Sequence, residues 1–158
     1  MRQRIKWLPA CIVLLALPWS ARAQLVTCTG AVTGIAFGSY ASPGSANADG
    51  SGTINVTCTA TLVVSPVNYT ITLSTGNGSY ATRKLVSGTH SLNYNLYTNT
   101  TRLNVWGDGS AGTSTVSDNY VVLLTPTVRP YTVYGRIPGS QNPHAGSYQD
   151  NLTVTITY

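Results

Sequence analysis

Two histidines, His90 and His144, four aspartates, Asp49, Asp108, Asp118 and Asp150, and two cysteines, Cys28 and Cys58, are the strongest candidates for chemistry beyond residue 23. General acid and base catalysis wants a carboxyl pair pushed apart in pKa, or a histidine held by a carboxylate. Here glutamate is absent, and each histidine follows turn-forming residues, Gly88-Thr89-His90 and Asn142-Pro143-His144. Serines abound, yet none sits in the G-x-S-x-G arrangement that would expose a nucleophile. Asp108-Gly109-Ser110 has the opening of a calcium loop but lacks the alternating carboxylates and closing glutamate, so it reads as a β-turn. No enzyme, no cofactor and no metal site are therefore expected.

The cysteines carry a different chemistry. Arg2, Arg4 and Lys6 precede an apolar run, residues 8–19, and Ala21-Arg22-Ala23 fits a small-residue cleavage site, so residues 1–23 are expected to be an export leader. The run is too short to cross a bilayer as a helix, and no membrane insertion is expected after its removal. Cys11 leaves with it. Cys28 and Cys58 remain as an even pair in an exported chain, which reads as one disulfide. They are not in a CxxC pair and no histidine lies between them, which disfavours a redox or metal site. A closed loop of that length stabilises by about 3 to 4 kcal/mol in the chain-entropy picture.

Losing the leader also removes most of the formal charge of +5. Arg83, Lys84, Arg102, Arg129 and Arg136 then face the four aspartates, a net of +1. These cations are scattered and form no basic stripe interleaved with aromatics, so no nucleic-acid partner is expected.

The elements that position these residues read as strands. Residues 24–158 suit one domain with a real core. Only 8% of the chain is charged, and Thr, Ser, Asn, Gly, Tyr and Val dominate, which disfavours helices and suits pleated surfaces. Short runs rich in Val, Ile, Thr and Tyr recur between Gly, Pro, Asn and Ser clusters, the pattern of an antiparallel sandwich or barrel. Strands are expected at 34–40, 53–64, 69–74, 91–98, 120–124, 131–135 and 151–158, with loops at 41–52, 108–117 and 138–146. The last strand alternates most cleanly, with Leu152, Val154, Ile156 and Tyr158 on one face and Thr153, Thr155 and Thr157 on the other. Tyr69, Tyr94, Tyr97, Tyr120, Tyr131 and Tyr134 stud the strands. They suit half-buried packing better than a glycan platform, and Trp106 reads as core filling before binding anchor.

Several stretches together carry a family likeness: Phe37-Gly38-Ser39-Tyr40, Gly52-Thr53-Ile54-Asn55-Val56-Thr57-Cys58, Leu92-Asn93-Tyr94-Asn95-Leu96-Tyr97, Val105-Trp106-Gly107-Asp108-Gly109, Val133-Tyr134-Gly135-Arg136-Ile137-Pro138 and Gly146-Ser147-Tyr148-Gln149-Asp150. In this order the chain resembles the spore coat protein U family, whose members include subunits of archaic, Csu-type chaperone-usher pili. The resemblance implies an all-β fold, an incomplete immunoglobulin-like antiparallel β-sandwich completed by a donor strand. It implies a periplasmic chaperone, an outer-membrane usher and other pilus subunits as partners, with export through the periplasm to the cell surface. The chaperone or donor-strand groove is then expected at Leu152, Val154, Ile156 and Tyr158, together with Ile35 and Phe37. A donor segment needs roughly ten alternating residues to span a sheet edge. Between the expected cleavage point and Cys28 stand only Gln24, Leu25, Val26 and Thr27, which points to a minor or terminal subunit. The alternative is a secreted, self-complete coat, matrix or glycan-binding module.

Overall fold

The computed structural model describes residues 25–41 and 46–158. The expected leader lies outside the described residues. Eight strands form: β1 (Val26–Thr33), β2 (Ala48–Ala60), β3 (Ser65–Leu73), β4 (Arg83–Ser87), β5 (His90–Tyr97), β6 (Val116–Val122), β7 (Thr127–Ile137) and β8 (Val154–Thr157). A five-stranded sheet runs β1-β2-β7-β5-β4 and a three-stranded sheet runs β6-β3-β8, with every named strand pair antiparallel. The immunoglobulin-like, all-β reading of the sequence thus holds, with no helix among the described residues.

Period-two alternation builds the core. In β2, Ile54, Val56, Cys58 and Ala60 are buried while the threonines and asparagine between them are not. Val67, Tyr69, Ile71 and Leu73 of β3 face them from the second sheet, joined by Leu92, Tyr94 and Leu96 of β5 and by Val133 and Ile137 of β7. Each fully buried aliphatic side chain contributes about 1.5–3 kcal/mol. Trp106 is 1% exposed in this core, and its indole N–H donates to the Ile71 carbonyl at 3.1 Å, so its polar atom is satisfied.

Some expected bounds shift, 53–64 ending at Ala60 and 120–124 becoming β6 over Val116–Val122, which also shortens the loop expected over 108–117; three expectations need fuller correction. Residues 34–40 are not a strand; the first strand is β1, immediately before them. Its eight register partners along β2 and the Cys28–Cys58 disulfide, which joins directly opposed residues, hold it in place despite Gly30. Gly38, at φ 70°, is incompatible with continuing a ladder. Second, the loop expected over 41–52 ends early, because β2 begins at Ala48 and pairs with β7 from there. Third, the terminal ladder is shorter than its alternation: β8 covers Val154–Thr157 against β3.

β4 escaped the sequence reading because its first inward residue is Arg83, which is fully buried. Its guanidinium donates to the Ser74 carbonyl from Nε at 3.2 Å and from Nη2 at 2.9 Å, to Asn95 Oδ1 at 2.7 Å and to the Trp106 carbonyl at 2.7 Å. One side chain therefore ties together the end of β3, β5 and the segment after it. Burial lowers its pKa from the usual value, while neighbouring phenols and Asp150 act in the opposite sense.

A part-buried polar chain joins the two sheets. Tyr69 donates to the Tyr131 hydroxyl, and Tyr131 donates to Asp118 Oδ2 at 2.6 Å. Burial pushes the Tyr69 phenol up to about 12. Burial and the bond to Asp118 raise Tyr131 as well. The folded state keeps these protons where the unfolded chain has already lost them, so this stability is complete below about pH 10 and is lost as the pH rises toward 12. We expect the urea midpoint to fall between about pH 10 and about pH 11.5, and to fall less in Tyr69→Phe. Equal slopes in the two proteins contradict this.

Candidate strand-accepting groove

A sandwich of two open sheets has four edges, and here they differ. The β4 edge is covered, because Val86 and Gln149 exchange backbone hydrogen bonds at 2.8 and 3.1 Å. The β6 edge carries the carboxylate of Asp118, bonded to Tyr131, a charge on an edge strand of the kind that discourages further pairing. β1 and β8 end their respective sheets with no further ladder partner among the described residues, and they lie on the same side of the sandwich.

These two edges meet at one point. A Cβ on Gly30 of β1 would stand 2.8 Å from Ile156 Cδ1 of β8, so the Ile156 side chain rests directly on the glycine and would have to shift for any larger residue. Beside that contact a cavity of about 210 Å³ opens, lined by Val32 and Thr33 of β1 and Val154 of β8. It penetrates to the core: Ile54, Leu73, Tyr94, Leu96 and Val133 form its inner wall, with Val32, Leu152 and Val154 at the rim.

Residues 34–40 cross this open side without joining a ladder. Ile35 and Phe37 rest on inward-facing glycines of the large sheet. A Cβ at Gly50 would meet Ile35 at 2.8 Å, and one at Gly135 would meet Phe37 at 2.7 Å. Phe37 packs edge-on against Tyr94, ring centroids 5.9 Å apart. Past Phe37 a wider cavity of about 900 Å³ runs beneath residues 142–150. Asp150 fixes that segment where it enters β8. It accepts from the Asn77 backbone at 3.0 Å, the Asn77 side chain at 2.8 Å and the Tyr94 hydroxyl at 2.7 Å.

Of the expected groove residues, Ile35, Phe37, Leu152 and Val154 line the same cavity. Ile156 shares their inward face but sits at the closed end on Gly30. Tyr158 stands apart, 44% exposed, beside Asn68, Thr70, Ser117 and Asn119 in a separate cleft. The inner wall was not singled out from sequence. Its signal was present as the inward positions of alternating strands, but nothing in one strand says which part of its face stays uncovered.

The remaining chemical candidates have structural surroundings. His90 and His144 stack on each other with centroids 4.1 Å apart. Asp108 accepts from the Ser110 amide and hydroxyl in a local turn, which holds its carboxyl below the usual range. Arg136 and Arg102 both pair with Asp49, and Arg129 lies 4.6 Å over the Tyr120 ring.

This is an immunoglobulin-like antiparallel sandwich with one side open to its core. The model of the Spore Coat Protein U domain matches residues 16–155, and the chain belongs to that family. It is 32% identical over 113 residues to Protein U of Myxococcus xanthus, covering 69% of this chain and 60% of that relative's length. The solved structure of the chaperone–tip adhesion subunit pre-assembly complex CsuC–CsuE, from the archaic chaperone-usher Csu pili of Acinetobacter baumannii, contains a chain of similar fold. Its TM-score is 0.53 at 21% identity, covering 85% of this chain and 40% of that one.

Proposed function

We propose that this chain is a non-enzymatic subunit of a chaperone-usher surface fibre, whose sandwich is completed by a strand from another polypeptide. The observation that carries the reading is the seam between β1 and β8: two unguarded edges flank an apolar cavity that reaches the core. An extended peptide laid there gains backbone hydrogen bonds along an edge and presses alternate side chains inward, which is the physics of strand addition. Each large aliphatic side chain so buried contributes about 1.5–3 kcal/mol. A periplasmic chaperone supplies the first such strand, and a neighbouring subunit replaces it at an outer-membrane usher. Family membership and the likeness to a chain from a chaperone–subunit complex support this reading. The few residues ahead of Cys28 favour a minor or terminal place in the fibre. Residues 1–23 act as the export leader and 24–158 as the pilin domain.

The contact of Gly30 with Ile156 favours a second reading, a secreted coat or matrix module that closes its own sandwich. Expressing residues 24–158 alone separates the two. A fibre subunit aggregates or melts at low temperature and gains at least about 10 °C from an added ten-residue alternating apolar peptide. A self-complete module folds cooperatively and ignores the peptide.

A further inference from the structure

Six aliphatic side chains at one pole of the sandwich point away from the core. Leu25, Leu62, Val63, Val64, Leu123 and Leu124 are each between 46% and 69% exposed. They come from three segments that the backbone gathers together: Thr61 N donates to the Leu25 carbonyl at 2.8 Å, and Ala60 N donates to the Leu123 carbonyl at 2.9 Å. No residue of 25–28, 58–67 or 120–128 is charged. The patch amounts to something on the order of 600 Å², the upper end of what a soluble monomer normally exposes.

Its chemistry selects among partners. Glycan binding needs an aromatic face with polar groups around it, and the six side chains are all aliphatic. A lipid surface favours Trp, Tyr, Lys and Arg at its boundary, and these six offer none. A charge-free aliphatic face fits a copy of itself without like-charge repulsion, and a two-fold axis puts the same patch on both sides of the contact. Two such faces bury about 1,200 Å², the low end for a specific protein pair. The pole lies at the Ser65 end of β3, whereas the groove opens at the Leu73 end, so both grooves stay accessible in a pole-to-pole pair.

We propose that this pole is a self-association surface through which two copies of the chain pair weakly about a two-fold axis. The inference does not depend on the groove's function. Sedimentation equilibrium of residues 24–158, with and without an alternating apolar peptide, tests it. We expect a reversible dimer with Kd on the order of 10 µM in the peptide-complemented arm, and the same Kd without peptide where the free chain stays soluble. Leu62→Asp and Leu124→Asp each weaken it at least about tenfold with no change in melting temperature, whereas Leu103→Asp, an exposed leucine elsewhere, leaves it intact. A wild-type monomer at about 1 mM overturns the proposal, as does equal weakening by Leu103→Asp. Monomeric protein that partitions onto neutral or anionic phospholipid vesicles also overturns it. A protein that ignores the peptide yet dimerises refutes the groove reading and leaves this one standing.

Discussion

Ile156→Asp is expected to cut the recovery of chaperone-bound chain at least about tenfold, since an inward carboxylate with no partner costs well over the 1.4 kcal/mol that a factor of ten represents. Ile156 belongs to β8, faces inward with Val154, and reaches across to Gly30 of β1. A carboxylate there confronts the apolar seam on both sides. Val154→Asp, at the rim of the cavity, should act the same way. Thr155→Asp is the control, because its side chain is exposed on the outer face of the same strand and it alters charge without touching the seam. Co-expression with the chaperone and quantitation of the purified complex gives the readout. Equal recovery of all four proteins removes β8 from the binding site, and equal loss in Thr155→Asp shows that the strand fails for a reason other than burial.

The second large effect is at Arg83. Methionine there fills similar space but leaves the carbonyls of Ser74 and Trp106 without the donors they now have and the side-chain oxygen of Asn95 with the Leu96 amide alone. A buried acceptor stripped of its partner costs about 1–3 kcal/mol, and some of the loss is recovered because no charge need be buried. We expect Arg83→Met to lower stability by about 3–5 kcal/mol, a large share of what a domain possesses. Arg83→Lys is expected to fall between, since a single ammonium cannot span acceptors on three segments. Urea unfolding, read on the peptide-complemented protein if the free chain aggregates, measures both. A methionine variant within about 1 kcal/mol of wild type contradicts the view that this side chain pins the sheets together.

Strand existence was legible wherever apolar and polar residues alternate. Ile54, Val56 and Cys58 announce β2, Tyr69, Ile71 and Leu73 announce β3, and Val154 with Ile156 announces β8. The pattern misled where side-chain type and fold position disagree. Ile35 and Phe37 look like a strand because they alternate, yet they serve as inward props on Gly50 and Gly135. β1 was not among the expected strands, and long pairing along β2 and a disulfide hold it. β4 was hidden by an inward arginine. Glycines that make room carry no periodic signal of their own. The separation of Tyr158 from the other groove candidates has a similar cause: alternation continues through residue 158, while the ladder stops at Thr157.

The central claim is that β8 borders a place for a strand that this chain does not itself supply, and backbone amide hydrogen exchange tests it directly. Amides of Val154–Thr157 that do not face β3 should exchange rapidly in the free chain. On adding a ten-residue alternating apolar peptide they should slow by at least about a hundredfold. Amides of these residues that are all protected beforehand, or that are unchanged by the peptide, contradict the claim.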